Sequence, residues 1–279
     1  MYESASRCSR HLGDTLTISI DGADSSECNL PATCEVTKAT SGPGKIKVHV
    51  TGALVHGREP RAFIGHDNVQ QGSNVTIQAL TEVLVRVRSD EGKLPSKLWL
   101  QLDNTTKQNK ARFVIAWLQV LVFSGVFNVA ELHFLPVGHT HIDVDQFFSR
   151  VAMQLRVRNA PTLRFLGSVI RDAYTTAEGH RPVVKEWKTV ANISEWMRQI
   201  GVLKVPNVTS YRSFRVDKNQ HGSTRIRVRT AMAGGRDDEW RSPSVPMAGM
   251  PEVDFSCFGT YYYYCYTNTA THLIPPHVW

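Results

Sequence analysis

His139, His141, Asp143 and Asp145 stand at alternating positions directly after an apolar run, Glu131–Val137, that reads as a strand. Imidazoles and carboxylates ligate metals and move protons, and so many of them in so short a stretch are hard to explain as packing. If the segment is extended, a period of two puts all four on one face; a helix starting here keeps only some of them together. Two chemistries fit. One is a two-histidine metal site of a metallo-hydrolase. The other is the last carboxylate of a two-metal phosphoryl-transfer site whose remaining acids come from distant parts of the chain.

The second chemistry requires elements that deliver acids from elsewhere. Leu16–Asp21 alternates like a strand and ends in a carboxylate followed by Gly22. Residues 45–55 alternate as a second strand, and Arg61–His66 form a third. Asn74 to Val87 has helical spacing with Ser73 or Asn74 as its cap. Lys97–Leu102 is a buried strand ending in Asp103-Asn104, and a carboxylate in that place belongs at the ligand-binding edge of an open α/β sheet. A long helix from Asn109 to Ser124 is closed by Gly125, strand 130–137 leads into the His/Asp cluster, and a helix from Asp145 to Arg156 follows. Asp21-Gly22 as a simple turn and Asp103 as a helix cap are the plain structural alternatives.

Three blocks carry a resemblance. Leu16–Pro31, with its strand-Asp-Gly, Trp99–Arg112, with L-D-N-x-x-x-x-N-K, and Phe134–Ser149, with F-L-P-V-G-H-T-H-x-D-x-D, resemble the signatures of a transposase-derived family. That family is catalogued only as a domain of unknown function and is placed near DDE-type transposases and integrases of the RNase H-like superfamily. The similarity covers about residues 15 to 215. It implies an α/β fold with an RNase H-like mixed sheet flanked by helices and an origin in a mobile element. In such a fold one carboxylate sits on the first strand, a second at the end of the fourth and a third near the start of a later helix. Here these are Asp21, Asp103 and either Asp143 or Asp145, with Asp143 slightly ahead because it shares the alternating face of the histidines. Such carboxylates hold two Mg²⁺ or Mn²⁺ ions, the cations that suit oxygen-rich sites. His139 and His141 are then acid/base groups, phosphate contacts or direct ligands. The implied activity is metal-dependent polynucleotidyl transfer or DNA cleavage. The non-enzymatic alternative is a domesticated or decayed copy that keeps the fold and binds nucleic acid.

The zinc alternative, with Zn²⁺ on His139, His141 and Asp143, resembles the H-x-H-x-D-H motif of metallo-β-lactamase-type hydrolases. Asp145 stands where that motif places its final histidine, which counts against it.

The charge balance favours a polyanionic partner, and DNA is the expected one. The chain of 279 residues carries 32 Lys and Arg against 25 Asp and Glu. Arg150, Arg156, Arg158, Arg164 and Arg171 follow the acidic cluster, and a second group runs from Arg212 through Arg215, Lys218, Arg225 and Arg227 to Arg229. Lys and Arg release counterions on meeting phosphates; ordinary solvated faces are the alternative. Asn109 and Lys110 open the long helix, where amides and an ammonium can meet a phosphate, and Asn104 and Gln108 belong to the same polar turn.

Other classes are disfavoured. The apolar run Phe113–Phe127 carries Gln119 and is too short for a membrane span, so no membrane association is expected. Five cysteines make no disulfide framework, and a reducing compartment, nuclear or cytoplasmic, is the expectation. Neither a phosphate-binding loop nor a serine-nucleophile elbow is present. The expected layout is a lead-in over 1–14, a catalytic-type domain over 15–185, a basic extension over 186–230 and a loop or disordered tail over 231–279. The short lead-in suggests a copy without an N-terminal DNA-binding region, and a homo-oligomer is compatible with the resemblance.

Overall fold

A sheet whose central strands bury residues of both parities needs a cover on each face, and the chain supplies helices for both. The computed structural model describes residues 14–23, 28–34, 44–69, 71–103, 112–134, 143–199, 208–230 and 239–242. These form a mixed α/β structure built on one eight-stranded sheet, with strand order β6-β3-β2-β1-β4-β5-β7-β8. The strands are β1 (Thr15–Gly22), β2 (Val48–Val55), β3 (Arg61–His66), β4 (Lys97–Leu102), β5 (Val129–Phe134), β6 (Val183–Trp187), β7 (Ser213–Lys218) and β8 (Thr224–Arg229). The helices are α1 (Ser73–Glu91), α2 (Arg112–Phe123), α3 (Asp143–Leu155), α4 (Leu163–Ala173) and α5 (Ile193–Gln199).

At the centre β2 runs antiparallel to both β1 and β3, while β4 and β5 run parallel to β1. Leu16, Ile18 and Ile20 of β1 join Leu98, Leu100 and Leu102 of β4 in a core covered by α1, α2 and α5. Helix α2 is buried on every side from Phe113 to Val122, Gln119 included, which accounts for its nearly unbroken apolar sequence. On the opposite face Val144, Phe147, Phe148, Val151 and Leu155 make the apolar stripe of α3, and they pack with α4 against Val50, Leu54, Ala62 and Ile64.

Expectation and structure part at several places. Helix α3 begins at Asp143 rather than Asp145, so Asp143 and Asp145 are helical and do not take the extended arrangement expected of the cluster. β7 and β8, read as exposed strands of a basic extension, pair antiparallel with β5 and with each other and bury Phe214, Val216, Ile226 and Val228. They are part of the sheet. Within the stretch expected as a tail, Arg241 exchanges both backbone hydrogen bonds with Val228. Helix α4 and edge strand β6 were not anticipated. The first is capped by Thr162, whose side chain accepts from the Phe165 N–H, and the second pairs parallel with β3. Among the described residues no helix is long and apolar enough to cross a membrane.

Candidate functional site

Parallel pairing of β1 with β4 sets Ile20 opposite Leu102. The next residue on each strand is an aspartate, so Asp21 and Asp103 leave the sheet side by side at the carboxyl edge, on strands spaced about 4.8 Å apart. The backbone N–H of Gly22 donates to Asp21 Oδ1 at 2.7 Å, which fixes the carboxylate at the strand end.

On its other side Asp21 faces Gly52 of β2. A Cβ at that position would lie 2.9 Å from Phe148 Cζ and 3.2 Å from Phe147 Cε1. The glycine therefore lets the first turns of α3 lie directly on the β2 backbone, a use expected of a glycine inside a strand. This seating carries Asp145, one residue after the buried Val144, to the neighbourhood of Asp21.

Electrostatics reports the convergence. The Asp21 carboxyl is pushed up to about 7, first by burial and then by the charges of Asp103 and Asp145; the Gly22 N–H opposes both. Three acids from β1, the end of β4 and the first turn of α3 thus act on one another across the same edge.

Positions 143 and 145 are about 200° apart around a helix axis, so they do not share one helix face. The charge of Asp145 bears on Asp21. For Asp143 only the backbone is described, and His139, His141, Asn109 and Lys110 lie outside the described residues. Among the described residues, no three His, Cys, Asp or Glu side chains are gathered tightly enough to hold a metal ion as they stand.

The arginines divide. Arg150 and Arg156 are exposed on α3 and just beyond it. Arg158 instead pairs with Asp172 at 3.0 Å. In the second group Arg215, Arg225 and Arg227 all donate to Asp217, and Arg215 also reaches Glu131 at 2.9 Å. These three neutralise the buried Asp217.

A family model described as Domain of unknown function (DUF7869) matches residues 38–233. The chain belongs to that family. The DUF7869 match takes in Asp103 and Asp145, whereas Asp21 precedes it. No curated protein matches the chain.

Three residues at the site were missed in the sequence: Gly52, Ser19 and Gln101. A glycine inside an apolar strand was the signal for the first. For the others it was the polar parity of 17-19-21 and 99-101-103, which continues each aspartate's face down its strand.

Proposed function

We propose that this DUF7869 chain is a metal-dependent phosphoryl-transfer enzyme of RNase H-like architecture that cuts or joins DNA strands. The observation that carries the reading is the placement of Asp21 and Asp103 side by side at the β1–β4 edge with α3, which bears Asp145, seated on Gly52 beside them; the Asp21 carboxyl is raised by burial first and then by the charges of the other two. The central strands in the order β3-β2-β1-β4-β5, with β2 antiparallel and β4 parallel to β1, support the architecture implied by the three signature blocks.

The donor set fits Mg²⁺ or Mn²⁺. All three groups are hard oxygen donors, and their mutual repulsion is relieved by a divalent cation. Asp21, Asp103 and Asp145 would hold it, and when bound it stabilises the charge that develops on attacking and leaving oxygens. The protein's own part is positional. The Gly22 N–H orients Asp21, the β1–β4 register places Asp103 beside it, and the α3 contact at Gly52 brings up Asp145. The exposed guanidinium groups of Arg150 and Arg156 meet the DNA backbone.

The test is nicking of supercoiled plasmid by the purified protein with Mn²⁺. Cleavage is expected, and Asp103→Asn is expected to reduce it on the order of 1,000-fold. No cleavage, or cleavage indifferent to Asp103→Asn, rejects the enzymatic reading. Salt-dependent DNA binding that persists under that outcome leaves an inactive binding remnant in its place.

A further inference from the structure

Ser19 and Gln101 are partners in the parallel β1–β4 register. Ser19 is 0% exposed and Gln101 4%. Ser19 Oγ and Gln101 Oε1 are both buried without a hydrogen-bond partner. Buried polar atoms left unsatisfied are rare and costly, and two facing each other at one register position call for an explanation such as an ordered water or an ion.

Their placement supplies one. Each stands two residues before an aspartate of the site, so by strand parity Ser19 and Asp21 share a face, as do Gln101 and Asp103. The separation along a strand is roughly 6.6 Å, too long for a direct hydrogen bond and suited to a bridging water. The same row continues from Gln101 to His133 and from His133 to Ser213. Farther along, the groups are satisfied: His133 contacts Ser213 Oγ at 3.0 Å and Glu131 Oε2 at 3.1 Å. From Ser19 to Ser213 the two residues with an unpartnered buried atom are thus on the two strands that carry the acids.

We propose that Ser19 and Gln101 are positioning residues that form the floor of the divalent-cation site, hydrogen-bonding the water molecules that a Mg²⁺ or Mn²⁺ held by the three aspartates retains. The inference rests on the metal-dependent reading above and adds the groups that hold the cation's water. Mg²⁺ gives up its hydration reluctantly, so a site with few protein ligands needs acceptors for the remaining water. Ser19 Oγ and Gln101 Oε1 are such acceptors.

The experiment is titration of the purified chain with Mn²⁺, following free Mn²⁺ by electron paramagnetic resonance and bound Mn²⁺ by water-proton relaxation. Ser19→Ala and Gln101→Leu are each expected to weaken Mn²⁺ binding about 10-fold and to alter the relaxation enhancement, while Ser19→Thr, which keeps the hydroxyl, stays within about 2-fold of wild type. The urea midpoint of the metal-free variants is expected to hold or rise, because an apolar group replaces an unsatisfied polar one. Unchanged Mn²⁺ affinity and relaxation in Ser19→Ala and Gln101→Leu, with binding lost in Asp103→Asn, overturns this inference alone. Binding that survives Asp103→Asn overturns the cation reading and this inference together. Affinity falling only in proportion to lost metal-free stability assigns the pair to packing and also overturns it.

Discussion

Asp21 and Asp217 lie on the same face of one sheet, both drawn away from water, and their carboxyls shift in opposite directions. Burial pushes each of them up. At Asp217 the donors of Arg225, Arg227 and Arg215 outweigh burial and hold the carboxyl below its usual range. At Asp21 the nearest charges are two more aspartates, and the carboxyl rises to about 7. Strand parity is alike at the two ends, and burial acts in the same direction on both; the sign of the neighbours differs. A carboxylate whose charge the protein neutralises is structural, and one kept among like charges suits the proposed cation.

The sharpest way to break this contrast is at the third acid. Asp145→Asn is expected to lower Mn²⁺-dependent nicking on the order of 1,000-fold, while Asp143→Asn leaves it within a few-fold. A plasmid assay on both variants that reverses the ranking moves the site to the other aspartate. Next in size is Asp217→Ala. It strands the guanidinium groups of Arg225 and Arg227, while Arg215 keeps Glu131, and is expected to cost about 3 kcal/mol in urea unfolding, at the low end for a broken buried pair because the arginines reach solvent. No loss there would remove the structural half of the comparison.

A smaller effect is expected where α3 rests on β2. Gly52→Val crowds Phe147 and Phe148 and should destabilise the chain by about 1–3 kcal/mol while lifting Asp145 away from Asp21. The check is urea unfolding together with Mn²⁺ affinity, and weakened affinity at full stability would show the displacement most cleanly. The smallest effect is in pH dependence. Because the folded carboxyl of Asp21 is raised, its contribution to metal-free stability is fully present below the unfolded value near 3.9 and is lost as pH rises through about 7. Metal-free protein should therefore melt at a lower temperature at pH 8 than wild type's own value at pH 6, relative to the same pair of measurements on Asp21→Asn. For Asp217 the sign is opposite: its contribution is present above 3.9 and lost as pH falls through its lowered value.

How much of this was legible in the sequence depended on range. Asp103 at the end of an alternating apolar strand could be read locally, and β1, β3, β4 and α1 lie where their periodicity places them. The third acid could not be resolved, because the choice between Asp143 and Asp145 turns on where a helix begins, and alternation of His and Asp imitates a strand up to that point. The basic strands β7 and β8 looked solvent-facing because their arginines were counted as charges. Their partner, Asp217, is recognisable only once the register brings residues 215, 225 and 227 around it. Helix α4 carries Arg164 and Arg171 on its exposed side, and Thr162 with the spacing of Leu166, Val169, Ile170 and Ala173 marks it as an amphipathic helix. Strand β6 is short and mostly exposed, so it carries little apolar signal. Ser19 and Gln101 were passed over because a polar residue on a strand normally faces water; these do not.

Binding of Mn²⁺ at neutral pH, measured by titration calorimetry on the wild-type chain beside Asp103→Asn, reaches the central claim without depending on DNA sequence or activity. Saturable binding by the wild type, weakened at least about 10-fold in a folded Asp103→Asn, is the expected result. Equal binding by both proteins, or none by the wild type, would contradict it.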